Sequence, residues 1–238
     1  YFQVRACTTN SNCGDVIDWT TVVTGIAADS YTTNWSLPAA VWSALPQGTS
    51  YISVRVYDGN GNSDTQGPLF YVKKDTTAPT CSVSAISESA ANIYYAGTGT
   101  TLYYCNAAPC GTTGSFSVTV TSTDTGGSGV QKVNFPSPNS LTGCGDDTAS
   151  PYACAYSFTS STTQSGAVTH TAYDNASNSN TCAVTLTRDI TAPSGGSLSY
   201  TDGWRTALSV SLSFANGSDT GAGIDSRVIQ RREAALGQ

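Results

Sequence analysis

Several stretches of the chain alternate apolar and polar residues with the period of two that a half-buried β-strand requires. Phe2, Val4 and Ala6 share one face of FQVRA; Ile52, Val54 and Val56 share one face of YISVRVYD. Phe116, Val118 and Val120 do so in SFSVTVTS, and Cys182, Val184 and Leu186 in TCAVTLTRD. Leu208, Val210, Leu212 and Phe214 do so in LSVSLSF. Between these runs lie DGNGNSD, TDTGGSG, DNASNSN and SDTGAG. Their Gly, Asn and Asp reach left-handed backbone or bond their own chain, so they predict turns. Only LPAAVWSAL (37–45) has a helical look, and Pro38 and Trp42 limit it to a short turn. SRVIQRRE (226–233) reads as a strand cut short.

The pattern repeats. RVYDGNGNSDTQGPLFYVKKDTTAP (55–79) aligns with TAYDNASNSNTCAVTLTRDITAP (171–193). Each runs strand, Tyr-Asp turn, strand, then Asp-x-Thr-Ala-Pro. Proline fixes φ and removes a donor, so a strand stops there. SFSVTVTSTDTGGSG (115–129) likewise matches ALSVSLSFANGSDTGAG (207–223). The reading is all-β: tandem immunoglobulin-like β-sandwich domains joined by short Asp-x-Thr-Ala-Pro linkers. Domain one, 1–75, is a partial sandwich; 76–190 is a complete one; 191–238 is truncated. No Gly-Ser spacer separates them, so their freedom is limited. YFQVRAC at the start already alternates as a strand, so the chain is expected to be an internal piece of something longer, or a processed product.

Composition sharpens this. Charged residues are 11%, against roughly 25% in ordinary soluble domains. The net charge of −6 argues against a nucleic-acid partner, which needs clustered Lys and Arg; it suits divalent cations. No apolar run reaches the ~18 residues of a membrane span. Eight Cys beside one His predict disulfides and an oxidising, exported setting rather than zinc. Cys105-x4-Cys110 alone is a weak zinc signal. Eight Cys allow 105 pairings, so sequence does not determine them. Strand parity points Cys81 and Cys182 inward on the first and last strands of one domain and favours their pairing. Cys7–Cys13, Cys105–Cys110 and Cys144–Cys154 would then staple loops, and GCGDDT, with Asp146 and Asp147, would be a disulfide-pinned loop.

YDGNGN…KKDTTAPT and YDNASN…RDITAP resemble the immunoglobulin-like and fibronectin-III-like repeats of very large exported bacterial surface proteins. In that class the turn commonly reads Asp-x-Ala-Gly-Asn; here it is Asp58-Gly-Asn-Gly-Asn62 and Asp174-Asn-Ala-Ser-Asn178. The resemblance implies a structural stalk or filament segment at the cell surface, with neighbouring immunoglobulin-like domains as partners. It also implies calcium at the junctions, held by Asp58 with Asp75 and by Asp174 with Asp189, with Asp124 and Asp219 as weaker candidates. Calcium takes six to eight oxygens, which such turns offer. The competing reading is plain turn chemistry.

Nothing in the sequence indicates catalysis or another cofactor. His170 aligns with the inward Val54. Glu88 and Glu233 fall in different predicted domains, against a glycosidase pair. No nucleophile elbow, phosphate loop or zincin helix occurs. Lys73, Lys74 and Lys132 give an isopeptide bond no support. Trp19, Trp35 and Trp42, with Tyr31, suit either a sandwich core or a carbohydrate platform. The sequons at Asn34, Asn175 and Asn216 are near chance in so Ser/Thr-rich a chain. Two other functions stay open: an adhesive module for a glycan or a protein, and a filament subunit assembled by strand donation.

Overall fold

Alternation becomes sheet wherever a second surface receives the apolar side. The computed structural model describes residues 1–230 apart from Asp29 and Leu208. The chain forms two compact units. The first comprises Tyr1–Cys81 with Ser122–Lys132 and Ala172–Asn180; the second comprises Ser82–Thr121, Val133–Thr171 and the chain from Thr181 onward.

The first unit is built on β1 (Phe2–Cys7), β2 (Ile17–Val23), β3 (Gly48–Tyr57) and β4 (Ser63–Lys74), in the sheet order β2-β1-β3-β4. Its inward face carries Phe2, Val4, Ala6 and Ile52, buried against Val41 and Leu45. Those two come from α1 (Ala39–Ala44) and its C-cap. The six-residue α1 exceeds the turn expected of LPAAVWSAL. Pro38 is its N-cap, where a missing N–H costs nothing. Lys74 Nζ donates to the carbonyls of Trp42 and Leu45 at 2.9 Å each, a cation on the helix's C-terminal carbonyls.

Two facing sheets are drawn mostly from residues of the second unit. β5 (Ser82–Glu88), β8 (Gly114–Thr121) and β11 (Tyr152–Phe158) form one, ordered β11-β8-β5. The other is ordered β10-β9-β12-β13-β7-β6, from β6 (Ile93–Tyr95), β7 (Thr101–Tyr104), β9 (Val130–Phe135), β10 (Gly145–Asp147), β12 (Gly166–Asp174) and β13 (Ser179–Arg188). β13 and β7 run parallel. Aromatic rings bridge the sheets: Tyr104 lies 4.8 Å from Phe158, and Phe135 lies 6.4 Å from Tyr156. An all-β chain with apolar faces packed in this way fits a β-sandwich.

The ends of the pattern depart from expectation. In β5 a bulge between Val83 and Ala85 leaves Ala85 exposed and half-buries Ile86, so the inward face is not Cys81-Val83-Ala85 throughout. Of LSVSLSF only its last residues enter β15 (Leu212–Ala215), paired with β14 (Ser197–Tyr200); Leu208 lies outside the described residues. Leu198 opposes Phe214 and Tyr200 opposes Leu212, yet all four are exposed. No facing sheet among the described residues receives them, and two strands alone make a marginal sheet. Residues 226–230 are irregular, not a strand, and the rest of SRVIQRRE, with Glu233, lies outside the described residues.

Candidate metal centre

Two turns of different sequence have one geometry. Asp58 Oδ1 accepts the N–H groups of Asn60 at 2.9 Å and Asn62 at 2.8 Å, and its Oδ2 accepts Asn62 Nδ2 at 2.7 Å. Asp174 Oδ1 accepts those of Ala176 at 2.9 Å and Asn178 at 2.8 Å, and its Oδ2 accepts Asn178 Nδ2 at 2.8 Å. The turn closes through left-handed backbone at Gly61 in one and at Ser177 in the other. Asp is chosen at both places because it bonds its own chain two residues on. Hydrogen bonds from Asn62, its side chain foremost, hold the Asp58 carboxyl below its ordinary value.

The linker aspartates also behave alike. Asp75 Oδ1 accepts Thr77 N–H at 3.1 Å and its Oδ2 accepts Ser128 N–H at 2.6 Å. Asp189 Oδ1 accepts Thr191 N–H at 3.2 Å and its Oδ2 accepts Ala222 N–H at 2.7 Å. Ser128 and Ala222 each precede a glycine of positive φ, Gly129 and Gly223. Ser128 holds the Asp75 carboxyl below its ordinary value, through its side chain first and its N–H second.

Within the first unit, carboxylate oxygens of Asp75, Asp124 and Asp174 lie within 4.8 Å of one another. Asp124 Oδ2 accepts Gly129 N–H at 2.6 Å, whereas its buried Oδ1 has no hydrogen-bond partner. A Cβ on Gly127 would stand 2.4 Å from that Oδ1, so a larger residue there would displace the carboxyl group. A cluster of three carboxyl groups, all oxygen donors, has the donor chemistry of a hard divalent cation.

This grouping differs from the expected one. Asp58 and Asp75 flank β4, whose two ends pair with the two ends of the ten-residue β3; that holds them roughly 30 Å apart, so they cannot share an ion. Asp174 and Asp189 flank the 10-residue β13 in the same way. Asp75 instead meets Asp174 and Asp124. Asp219 Oδ1 accepts Gly221 N–H at 2.6 Å. Asp146 Oδ1 accepts Asn134 Nδ2 at 2.7 Å, and Asp147 Oδ2 accepts Ala153 N–H at 2.9 Å.

Cys7 pairs with Cys13, Cys105 with Cys110 and Cys144 with Cys154, at Cα separations of 5.5, 6.1 and 5.6 Å. Cys81 and Cys182 are disulfide-bonded as well. Cys7, Cys13 and Asp15 also converge, but oxidised sulfur is no thiolate ligand. Asn175 Nδ2, the sequon nitrogen, donates to the carbonyls of Ser128 and Gly129. His170 is buried, and burial pushes its pKa down to about 4. Of the tryptophans, Trp35 packs edge-on against Phe2, Trp42 is exposed, and Trp19 lies outside the core, between two arginines. Sequence alternation missed that last arrangement because β2 is bulged against β1.

No protein-family model matches the chain, and no curated protein matches it. Among solved structures, the fibronectin(III)-like modules of Clostridium thermocellum CbhA are similar at 15% identity and a TM-score of 0.31. The alignment covers 61% of this chain and spans 65% of that one. A likeness of that strength carries no argument about register, site or activity. Among the described residues no helix is long and apolar enough to cross a membrane.

Proposed function

We propose that the chain is a non-catalytic structural segment of an exported surface protein: β-sandwich domains in tandem on Asp-x-Thr-Ala-Pro linkers. The observation that carries this reading is the shared bonding of Asp75 and Asp189. Each linker carboxylate turns on its own chain two residues ahead and grips an Asp-Thr-Gly turn further on. A joint written twice with one set of contacts suits a repeating unit whose angles matter, as in a stalk. The disulfides support an oxidising, extracellular setting.

Calcium is the ion this reading places on Asp75, Asp124 and Asp174. It would supply the partner that Asp124 Oδ1 lacks and offset the repulsion of three carboxylates. Small-angle scattering of the whole chain in calcium and in EGTA tests both parts. The expected result is an elongated particle whose distribution broadens in EGTA. Identical profiles would remove calcium from the joint, and a compact particle in both would remove the tandem array.

The exposed apolar face of β14 and β15 favours a second reading, a filament subunit whose ribbon is covered by a neighbour's strands. Sedimentation separates the two: a concentration-independent monomer excludes the filament.

A further inference from the structure

The outward face of the β2-β1-β3-β4 sheet is unlike the rest of this acidic chain. Register places Arg5 opposite Ser53, two residues from Arg55, and places Tyr51 opposite Tyr71, two residues from Lys73. The side chains there stack in a ladder. The guanidinium carbons of Arg5 and Arg55 lie 4.5 and 4.3 Å from the Trp19 ring centroid. Arg55 also lies 5.0 Å from Tyr57, and Tyr57 stacks on Tyr1 at 4.4 Å. Across the sheet, Lys73 Nζ lies 5.9 Å from the ring of Tyr71, which is 60% exposed.

The cations have neutral partners. Arg5 donates to Asn12 through Nε and Nη2, and Arg55 donates to Gln3 through Nη2. The register puts no carboxylate on this face. The acids at its rim are committed elsewhere: Asp18 Oδ1 to Trp19 N–H and Asp58 to its own turn. So this sheet face carries three cations beside a row of aromatic rings, with Tyr71 and Lys73 exposed and the two arginines half-buried, in a chain of net charge −6.

We propose that this face binds an anionic polysaccharide, its sugar rings stacking on the exposed tyrosines and its carboxylates or sulfates pairing with Arg5, Arg55 and Lys73. Charge complementarity selects the anion, and the aromatic row selects sugar rings over a bare ion. The chain's overall acidity disfavours a nucleic acid, whose binding rests on many more cations. This site goes beyond the structural role above and does not depend on it.

Native electrophoresis of the whole chain through gels cast with polygalacturonate, heparin or dextran tests the proposal. The expected result is retardation in one or both acidic gels and none in dextran, with mobility restored at about 0.3 M salt. The two acidic gels distinguish carboxylate from sulfate. Lys73→Gln, a change at an exposed side chain, is expected to weaken retardation about threefold. Arg5→Gln with Arg55→Gln is expected to abolish it, with circular dichroism checking the fold. Free migration in both acidic gels would overturn the proposal, as would equal retardation in dextran. So would retardation unchanged by Lys73→Gln, equal retardation by single-stranded DNA, or salt-reversible dimerisation that accounts for the shift.

Discussion

The Tyr156 hydroxyl lies 3.3 Å from Nδ1 of His170, and both side chains are fully buried. Burial holds the imidazole neutral, with a pKa of about 4 against 6.5 unfolded. Below pH 6.5 the unfolded chain takes up a proton that the folded chain refuses. Stability is therefore full above pH 6.5 and declines as pH falls towards 4, by roughly 3 kcal/mol in total. Urea midpoints measured from pH 7.5 to 4.5 should fall, and His170→Gln should flatten that slope. Asp15, Asp58 and Asp75 are held low by hydrogen bonds, chiefly from Thr8, Asn62 and Ser128. Their contribution is lost only further down, as pH drops through the carboxylate range, so the two windows separate.

Asn106 should be a keystone of the second unit. It is buried, donates to the carbonyls of Thr159 at 2.7 Å and Thr162 at 2.8 Å, and accepts Arg188 Nε at 2.7 Å. Asn106→Ala strands two carbonyls and a guanidinium and is expected to cost about 3 kcal/mol. Denaturant titration measures it; a loss below about 1 kcal/mol would mean that water replaces the side chain.

Gly67 is required by space. A Cβ there would sit 2.1 Å from Ser53 Oγ and 2.4 Å from Ser53 Cβ. Gly67→Ala should destabilise the first unit by about 1–3 kcal/mol. Adding Ser53→Gly should return part of that loss, which a double-mutant cycle on thermal unfolding detects.

Disulfide mapping of the unreduced chain by mass spectrometry should return peptides linking Cys7 with Cys13, Cys105 with Cys110 and Cys144 with Cys154. The fourth link is expected between Cys81 and Cys182, the pair that strand parity favours. A link from either of them to any other cysteine would reject that parity argument.

Substitution at the carboxylate cluster should change cation response more than resting stability. Asp124→Asn removes one of three like charges and leaves an amide beside Asp75 and Asp174. Without calcium it should be neutral or stabilising; with calcium the wild-type gain in Tm should be lost. Calorimetry in EGTA and in calcium reads both.

The local period and the turn chemistry were legible in the sequence. Alternation at Phe116-Val118-Val120 and at Val184-Leu186 is a property of the pleat, so those residues are buried wherever their strand packs. Asp58 and Asp174 build one turn because an Asp side chain bonds the N–H two residues on whatever the distant fold does. What lies far apart along the chain was decided by tertiary structure. Asp75 meets Asp124 and Asp174 rather than Asp58, because an extended strand carries its two ends apart and brings other loops to each. Trp19 leaves the core because a bulge turns it to the outward face. Leu212 and Phe214 alternate as well as any buried strand, yet stay exposed, because burial needs a second surface and alternation specifies only one.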